Sequence, residues 1–174
     1  GLVLVPEIHK AIQPISDIPI LAAGGIATGH QMAGVMAMGA SGVWCASVFL
    51  PTSEAETSPT VKEKMINATS SQTVRSRSRT GKHSRQLRSG WTDAWESKDA
   101  PEPLPMPLQP RVGERALDII DKAAENGHQG AKELATYWVG QGIGLVDETI
   151  SAGQTVQKFK EEFLDALDRM QNVI

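Results

Sequence analysis

Apolar residues along this chain fall into two kinds of run, and their order predicts a parallel α/β arrangement. Ile20-Leu21-Ala22-Ala23 is a short unbroken apolar run of the kind found in strands buried on both faces. Gly42 to Leu50 is a second such run, expected as the next buried strand. Between them Met32, Val35 and Met36 recur at helical spacing, with Ala33, Gly34 and Ala37 small enough for close packing. Thr28 followed three residues later by Gln31 is a capping-box signal for this helix, and Gly39 is placed to stop it. Val5 to Ile12 reads as a short helix with Pro6 in its first turn. Ser53 with Glu56, then Ser58-Pro59, opens a further helix towards Ala68. Strand, helix, strand, helix with short links favours a parallel sheet.

The pattern changes after residue 70. Thr73 to Gly90 carries Arg75, Arg77, Arg79, Lys82, Arg85 and Arg88 and no acidic residue, and is expected as a solvated basic loop. Asp99 to Pro110 places proline at 101, 103, 105, 107 and 110, which favours an extended connector. Beyond it, Ala116, Ile119, Ile120 and Ala123 have helical periodicity, with a break at Asn126-Gly127. Ser151 and Gln154 cap a last amphipathic helix whose buried face is expected to be Val156, Phe159, Phe163, Leu167 and Met170. The expected organisation is therefore 1–70, a βα segment; 71–110, a basic loop and proline-rich connector; and 111–174, a helical region.

Composition removes several classes of function. The 174 residues are 40% hydrophobic and 21% charged with a net charge of -3, so no global charge favours nucleic acid or an anionic membrane. The one cysteine, Cys45, forms no internal disulfide, and His9, His30, His83 and His128 show no metal-ligand spacing, so no metal is expected. No apolar run reaches the length of a membrane span, and with no charged-then-apolar leader the expected compartment is the cytoplasm. The basic run lacks stacking aromatics until Trp91 and Trp95, which argues against single-stranded nucleic acid. Gly140-Gln141-Gly142-Ile143-Gly144 lacks the preceding strand of a dinucleotide fingerprint.

The informative chemistry lies at two strand ends. A phosphate is held by backbone N–H groups, and side chains block that approach. Gly24-Gly25 follows the first strand and meets that need, and Ala46-Ser47 near the end of the second run meets it again with a hydroxyl. In eight-stranded α/β barrels the loops after strands seven and eight commonly form such a site.

With these residues in view, the chain resembles the nitronate monooxygenase (2-nitropropane dioxygenase) family, relatives of which are the flavin-dependent enoyl-acyl-carrier-protein reductases. The resemblance rests on Leu21-Ala22-Ala23-Gly24-Gly25-Ile26, on Gly39-Ala40 with Gly42-Val43-Trp44, and on Ser47-Val48-Phe49-Leu50. It continues through Leu4-Val5-Pro6-Glu7, Thr80-Gly81-Lys82 with Arg85, and Gly140-Gln141-Gly142. It implies an FMN-dependent (β/α)8 TIM barrel of which this chain carries strands seven and eight, plus a mostly helical C-terminal region. By that resemblance Gly24 and Gly25 would bind the FMN phosphate, and Trp44, Cys45, Ala46 and Ser47 would form the second wall of the phosphate site. Gln141 would touch substrate or flavin; the basic run separately suggests that Arg79, Lys82 or Arg85 lies near an anionic substrate or the flavin.

The implied activity is oxidation of an alkyl nitronate with dioxygen to a carbonyl compound and nitrite. Alternatives are an enoyl reductase and a non-catalytic remnant. The family pattern ends the second strand in Gly-Thr, so Ala46-Ser47 is a departure. The family's catalytic histidine lies in a glycine-rich segment expected upstream of residue 1, so none of the four histidines is assigned as catalytic. About six of the eight strands would also precede Gly1, and the isolated chain is expected to be a C-terminal portion without turnover of its own.

Overall fold

Two short strands, Leu21–Ala23 (β1) and Gly42–Trp44 (β2), pair in parallel, with Leu21 opposite Gly42, Ala22 opposite Val43 and Ala23 opposite Trp44. A parallel pair needs a crossover, and helix Gly29–Ala37 (α2) supplies it. Thr28 caps α2 as the sequence predicts. Its hydroxyl accepts from the Gln31 amide, while the Gln31 side chain takes the Thr28 amide. At the other end the Gly39 amide reaches the Met36 carbonyl and the Ala40 amide the Val35 carbonyl, the paired bonds of a glycine-terminated helix. The structure is a computed structural model and describes residues 1–173.

These residues divide into two compact units. The first contains Gly1–Ala55 and returns from Thr149 onward; the second is Glu56–Glu148. In the first, helix Leu4–Ile12 (α1) buries Val5 against Ala22 and Ala40, with Ile26, Val35 and Met38 packed around them.

The second apolar run is shorter as a strand than expected. Pairing ends at Trp44, and Ser47–Phe49 turns into a single 3-10 turn that buries Val48. The expectation of two doubly buried strands is also corrected: Leu21 is 52% exposed and Trp44 69%. This parallel sheet has only β1 and β2 among the described residues, so each strand keeps an outer edge without a ladder partner.

The long helix Ala152–Gln171 follows the second unit in sequence but packs against α2 in the first. Its N-terminus has the expected capping box, with Ser151 and Gln154 bonding each other's amides. Its buried residues are Thr155, Phe159 and Ala166; Val156 and Met170 of the expected face are exposed. The reason is at Gly29. A Cβ there would lie 2.0 Å from the Phe159 carbonyl oxygen and 2.6 Å from the Phe163 nitrogen, so the two helices meet backbone to backbone. Of the expected face, Phe159 is buried and Phe163 and Leu167 are half-buried beside this contact, while Val156 and Met170 lie outside it.

In the second unit helix Pro59–Ile66 (α3) begins at Ser58, whose hydroxyl accepts the Val61 amide. Thr73–Ser76 (β3) and Ser84–Leu87 (β4) form an antiparallel hairpin, which corrects the expectation of a basic loop. No apolar alternation marks β4, because Ser84 and Arg85 are half-buried, Gln86 and Leu87 are both buried, and Gln86 is polar. Gln86 is fully buried, accepts from Ser78 Oγ at 3.1 Å and donates to the Ser76 carbonyl and to Ser84 Oγ.

Helices Gly90–Trp95 (α4), Leu108–Glu125 (α5) and Gln129–Leu134 (α6) complete this unit. The proline-rich connector is extended only up to α5, which takes in its last proline: Pro110 sits in the first turn of that helix. The break at Asn126-Gly127 stands as predicted, but α5 buries Gln109, Gly113, Leu117 and Ala124 and leaves Ile119 60% exposed. With that order of elements, Ala152–Gln171 is α7.

Lys64 on α3 holds the end of α6. Its Nζ donates to the carbonyls of Lys132, Glu133 and Ala135 at 3.0, 3.2 and 2.6 Å, the groups a helix C-terminus leaves without partners. Burial pushes the Lys64 ammonium below its ordinary value, and Glu133 opposes the shift.

Candidate functional site

Parallel pairing of β1 and β2 places their C-terminal ends side by side, and this register brings the candidate residues together. Ala23 lies opposite Trp44, so Gly24-Gly25 leaves the sheet beside Cys45-Ala46. Gly24 and Gly25 both have positive φ, 98° and 74°, a region that L side chains adopt only at a cost. Neither is crowded: a Cβ built at either position meets nothing within 4 Å. The glycines are therefore not required by internal packing. The turn needs their backbone conformation, and their outer face is open.

The hydrogen bonds around this turn say which amides are already committed. Gln31 ties the segment down from below: its Oε1 accepts the amides of Ala27 and Thr28, and its Nε2 donates to the Gly25 carbonyl at 3.1 Å. The first amide of α2 is committed as well. Gly29 N–H donates at 2.7 Å to Glu162 Oε2 of α7, an internal carboxylate at the positive end of the helix. The amides of Gly24 and Gly25 donate to no other described residue. An anion in this region is thus offered the glycine turn, while the first amide of α2 is already taken.

The second wall continues from β2. Ala46 is exposed, and Ser47 opens the 3-10 turn. Trp44 and Cys45 face a cavity of about 530 Å³ shared with Met32, Phe49, Val156, Phe159 and Lys160. That lining is apolar except for the lysine and the thiol. Burial pushes the Cys45 thiol up, which keeps it protonated and a poor nucleophile at neutral pH.

A phosphate group suits these residues by their chemistry: two glycine amides without an acceptor among the described residues, beside a strand end carrying a methyl and a hydroxyl. Gln141 lies in the other unit, in the turn Gln141–Leu145, where its carbonyl accepts from Ser70 Oγ. Arg79 belongs to the interior of that unit. It is 9% exposed, its guanidinium lies 4.1 Å from the Trp138 ring centroid, and its Nη1 donates to the Thr136 carbonyl. Its packing is that of a structural group rather than one reaching for substrate.

The histidines remain outside the cluster. His30 Nε2 is 2.8 Å from Asp165 Oδ2 on the surface of α2 and α7, and His128 Nδ1 accepts the Ala131 amide at the start of α6. His9 packs against Gly39, whose added Cβ would meet its ring. No group of metal-ligating side chains occurs among the described residues. Glu162 was missed in the sequence: it lies among many exposed charges of α7, and only the docking at Gly29 distinguishes it.

A family model for nitronate monooxygenase matches residues 1–162, and the chain belongs to that family. A Mycobacterium tuberculosis protein named for monooxygenase activity, Rv1533, is 50% identical over 173 residues, covering 99% of this chain and 45% of its own length. The nitronate monooxygenase npaC of Metarhizium robertsii is 29% identical over 174 residues, covering 92% of this chain and 45% of that protein. Among solved structures, FabK from Thermotoga maritima superposes with a TM-score of 0.73 at 27% identity, covering 99% of this chain and 51% of the other. The chain spans about half the length of these relatives.

Proposed function

We propose that this chain supplies the FMN phosphate site and an accessory portion of a flavin-dependent nitronate monooxygenase. The observation that carries the reading is the pairing of two strand ends, Gly24-Gly25 beside Cys45-Ala46, with the glycine amides uncommitted. In this reading β1 and β2 are strands seven and eight of a (β/α)8 barrel. Their unpaired outer edges and the exposed Leu21 and Trp44 are then surfaces that further strands of the whole protein cover.

The roles of the chain's own residues follow from their positions. Gly24 and Gly25 bind the phosphate through N–H groups, and Gln31 fixes the turn that aims them. Ala46 and Ser47 form the facing wall, where a methyl replaces the hydrogen of the family pattern and narrows the approach. Trp44 and Cys45 exclude water beside the site. Bound there, FMN supplies electron transfer between an alkyl nitronate and dioxygen, the chemistry that yields a carbonyl compound and nitrite. No histidine of this chain is assigned as base, and His30 and His128 are engaged elsewhere.

The test is nitrite release from an alkyl nitronate by the protein expressed from its full coding sequence, with flavin content measured in parallel. A flavin-free protein that gains no flavin absorbance on adding FMN would defeat the reading. The likeness to FabK supports a second one, a flavin-dependent enoyl reductase. In that case the flavoprotein consumes reduced nicotinamide with an enoyl thioester and releases no nitrite.

A further inference from the structure

We propose that the β3–β4 hairpin carries an anion site for a phosphate monoester, built from Arg75 and Arg85. The two arginines are direct cross-strand partners. Arg85 gives its carbonyl to the Val139 amide, and Leu87 gives its amide to the Tyr137 carbonyl, so these residues point their backbone groups away from β3. Arg75 and Arg85 are therefore a non-hydrogen-bonded pair, the closer of the two antiparallel spacings, with Cα atoms about 4.5 Å apart. Like charges directly opposite at that spacing repel and destabilise a hairpin.

Other arginines of the same run are neutralised. Arg77 pairs with Glu102 and Arg88 with Asp93. Arg75 and Arg85 have no carboxylate partner among the described residues. Arg85 is nevertheless oriented: its Nη1 donates to Thr73 Oγ1 at 3.1 Å and to the Thr73 carbonyl at 3.4 Å, which leaves Nε and Nη2 for a ligand. Arg75 is exposed beside it with every donor available, and Lys82 in the hairpin turn adds positive charge. Two guanidinium forks at this spacing suit the three oxygens of a phosphate monoester, which also relieves their repulsion. This site is independent of the glycine turn.

The test compares thermal melts of the full chain in sodium phosphate and in sodium chloride at matched ionic strength. The expected result is a larger upward shift in phosphate, with half-saturation weakened at least tenfold in Arg75→Gln and in Arg85→Gln. Arg75→Lys, which keeps the charge but loses the fork, weakens it by a smaller factor. Arg77→Gln leaves the response in place, which separates this site from the paired arginine. Adenosine monophosphate replaces inorganic phosphate in a second arm: tighter binding identifies a carried phosphoryl group, and equal binding identifies the ion itself. Equal shifts in phosphate and chloride, or an undiminished phosphate response in the Arg75→Gln, Arg85→Gln double variant, would overturn the proposal.

Discussion

Gly29 and Glu162 are joined twice: the Gly29 amide donates to the Glu162 carboxylate at 2.7 Å, and the bare Gly29 Cα lets the α7 backbone pass directly over it. One residue thus fixes both the position of α7 and the charge at the start of α2. That contact holds the floor beneath the glycine turn, because the Thr28–Gln31 box immediately precedes and includes it.

Gly29→Ala is expected to undock α7, because its Cβ would meet the main chain of α7 and no rotamer can relieve the overlap. Overpacking of this kind costs about 1–3 kcal/mol or more. Denaturant melts and limited proteolysis of α7 read the effect. An unchanged midpoint with α7 still protected would refute the close approach. Glu162→Gln keeps the shape and removes the charge, and should cost less, about 1 kcal/mol.

Acid should loosen the same helix pair through a different contact. The hydrogen bond from His30, with help from Arg169, holds the Asp165 carboxyl below its ordinary value of 3.8. A carboxylate with a lowered folded value contributes stability that is present above its unfolded value and lost as pH falls through the folded one. Melting midpoints should therefore fall less steeply below about pH 4 in Asp165→Asn than in the parent protein. Parallel acid limbs would remove this pair from the account.

Lys64→Met should destabilise the second unit by about 1–2 kcal/mol, because the carbonyls of Lys132, Glu133 and Ala135 lose their donor while the aliphatic packing is retained. Lys64→Arg restores donors and should recover part of the loss. Equilibrium unfolding of the three proteins distinguishes this from a simple charge effect, which would leave the arginine variant fully stable.

Cys45 is expected to react slowly with a thiol reagent at neutral pH and faster as pH rises past the ordinary thiol range, since burial disfavours its thiolate. Timed alkylation with mass detection reads this. Rapid labelling at neutral pH would mean that the thiol is less sheltered than the cavity beside Trp44 implies.

The sequence carried local signals well and long-range ones poorly. Capping boxes at Thr28–Gln31 and Ser151–Gln154, and the stop at Gly39, involve neighbours in the chain and were legible from residue type alone. The Gly24-Gly25 turn was legible for the same reason. The β3–β4 hairpin was not, because its inward residues Ser76, Ser84 and Gln86 are polar and their satisfaction depends on Ser78, which lies outside both strands. The face of α7 was legible at Phe159, which is buried, but not at its ends, where Val156 and Met170 are exposed while Thr155 and Ala166 are buried. Neither Glu162 nor the Arg75–Arg85 pairing announces itself in composition, since both depend on register between distant segments.

The central claim is that the backbone amides of the glycine turn hold an FMN phosphate, and flavin retention tests it most directly. The protein from its full coding sequence and its Gly24→Val, Gly25→Val variant are purified and titrated with FMN by flavin fluorescence, with melts recorded alongside. Side chains at these positions meet open space, so the fold should lose only about 1–2 kcal/mol per residue from the positive φ. The account predicts one FMN per parent chain and at least a tenfold weaker affinity in a variant that still melts cooperatively. A variant that keeps the parent's affinity, or a parent that binds no FMN, would contradict it.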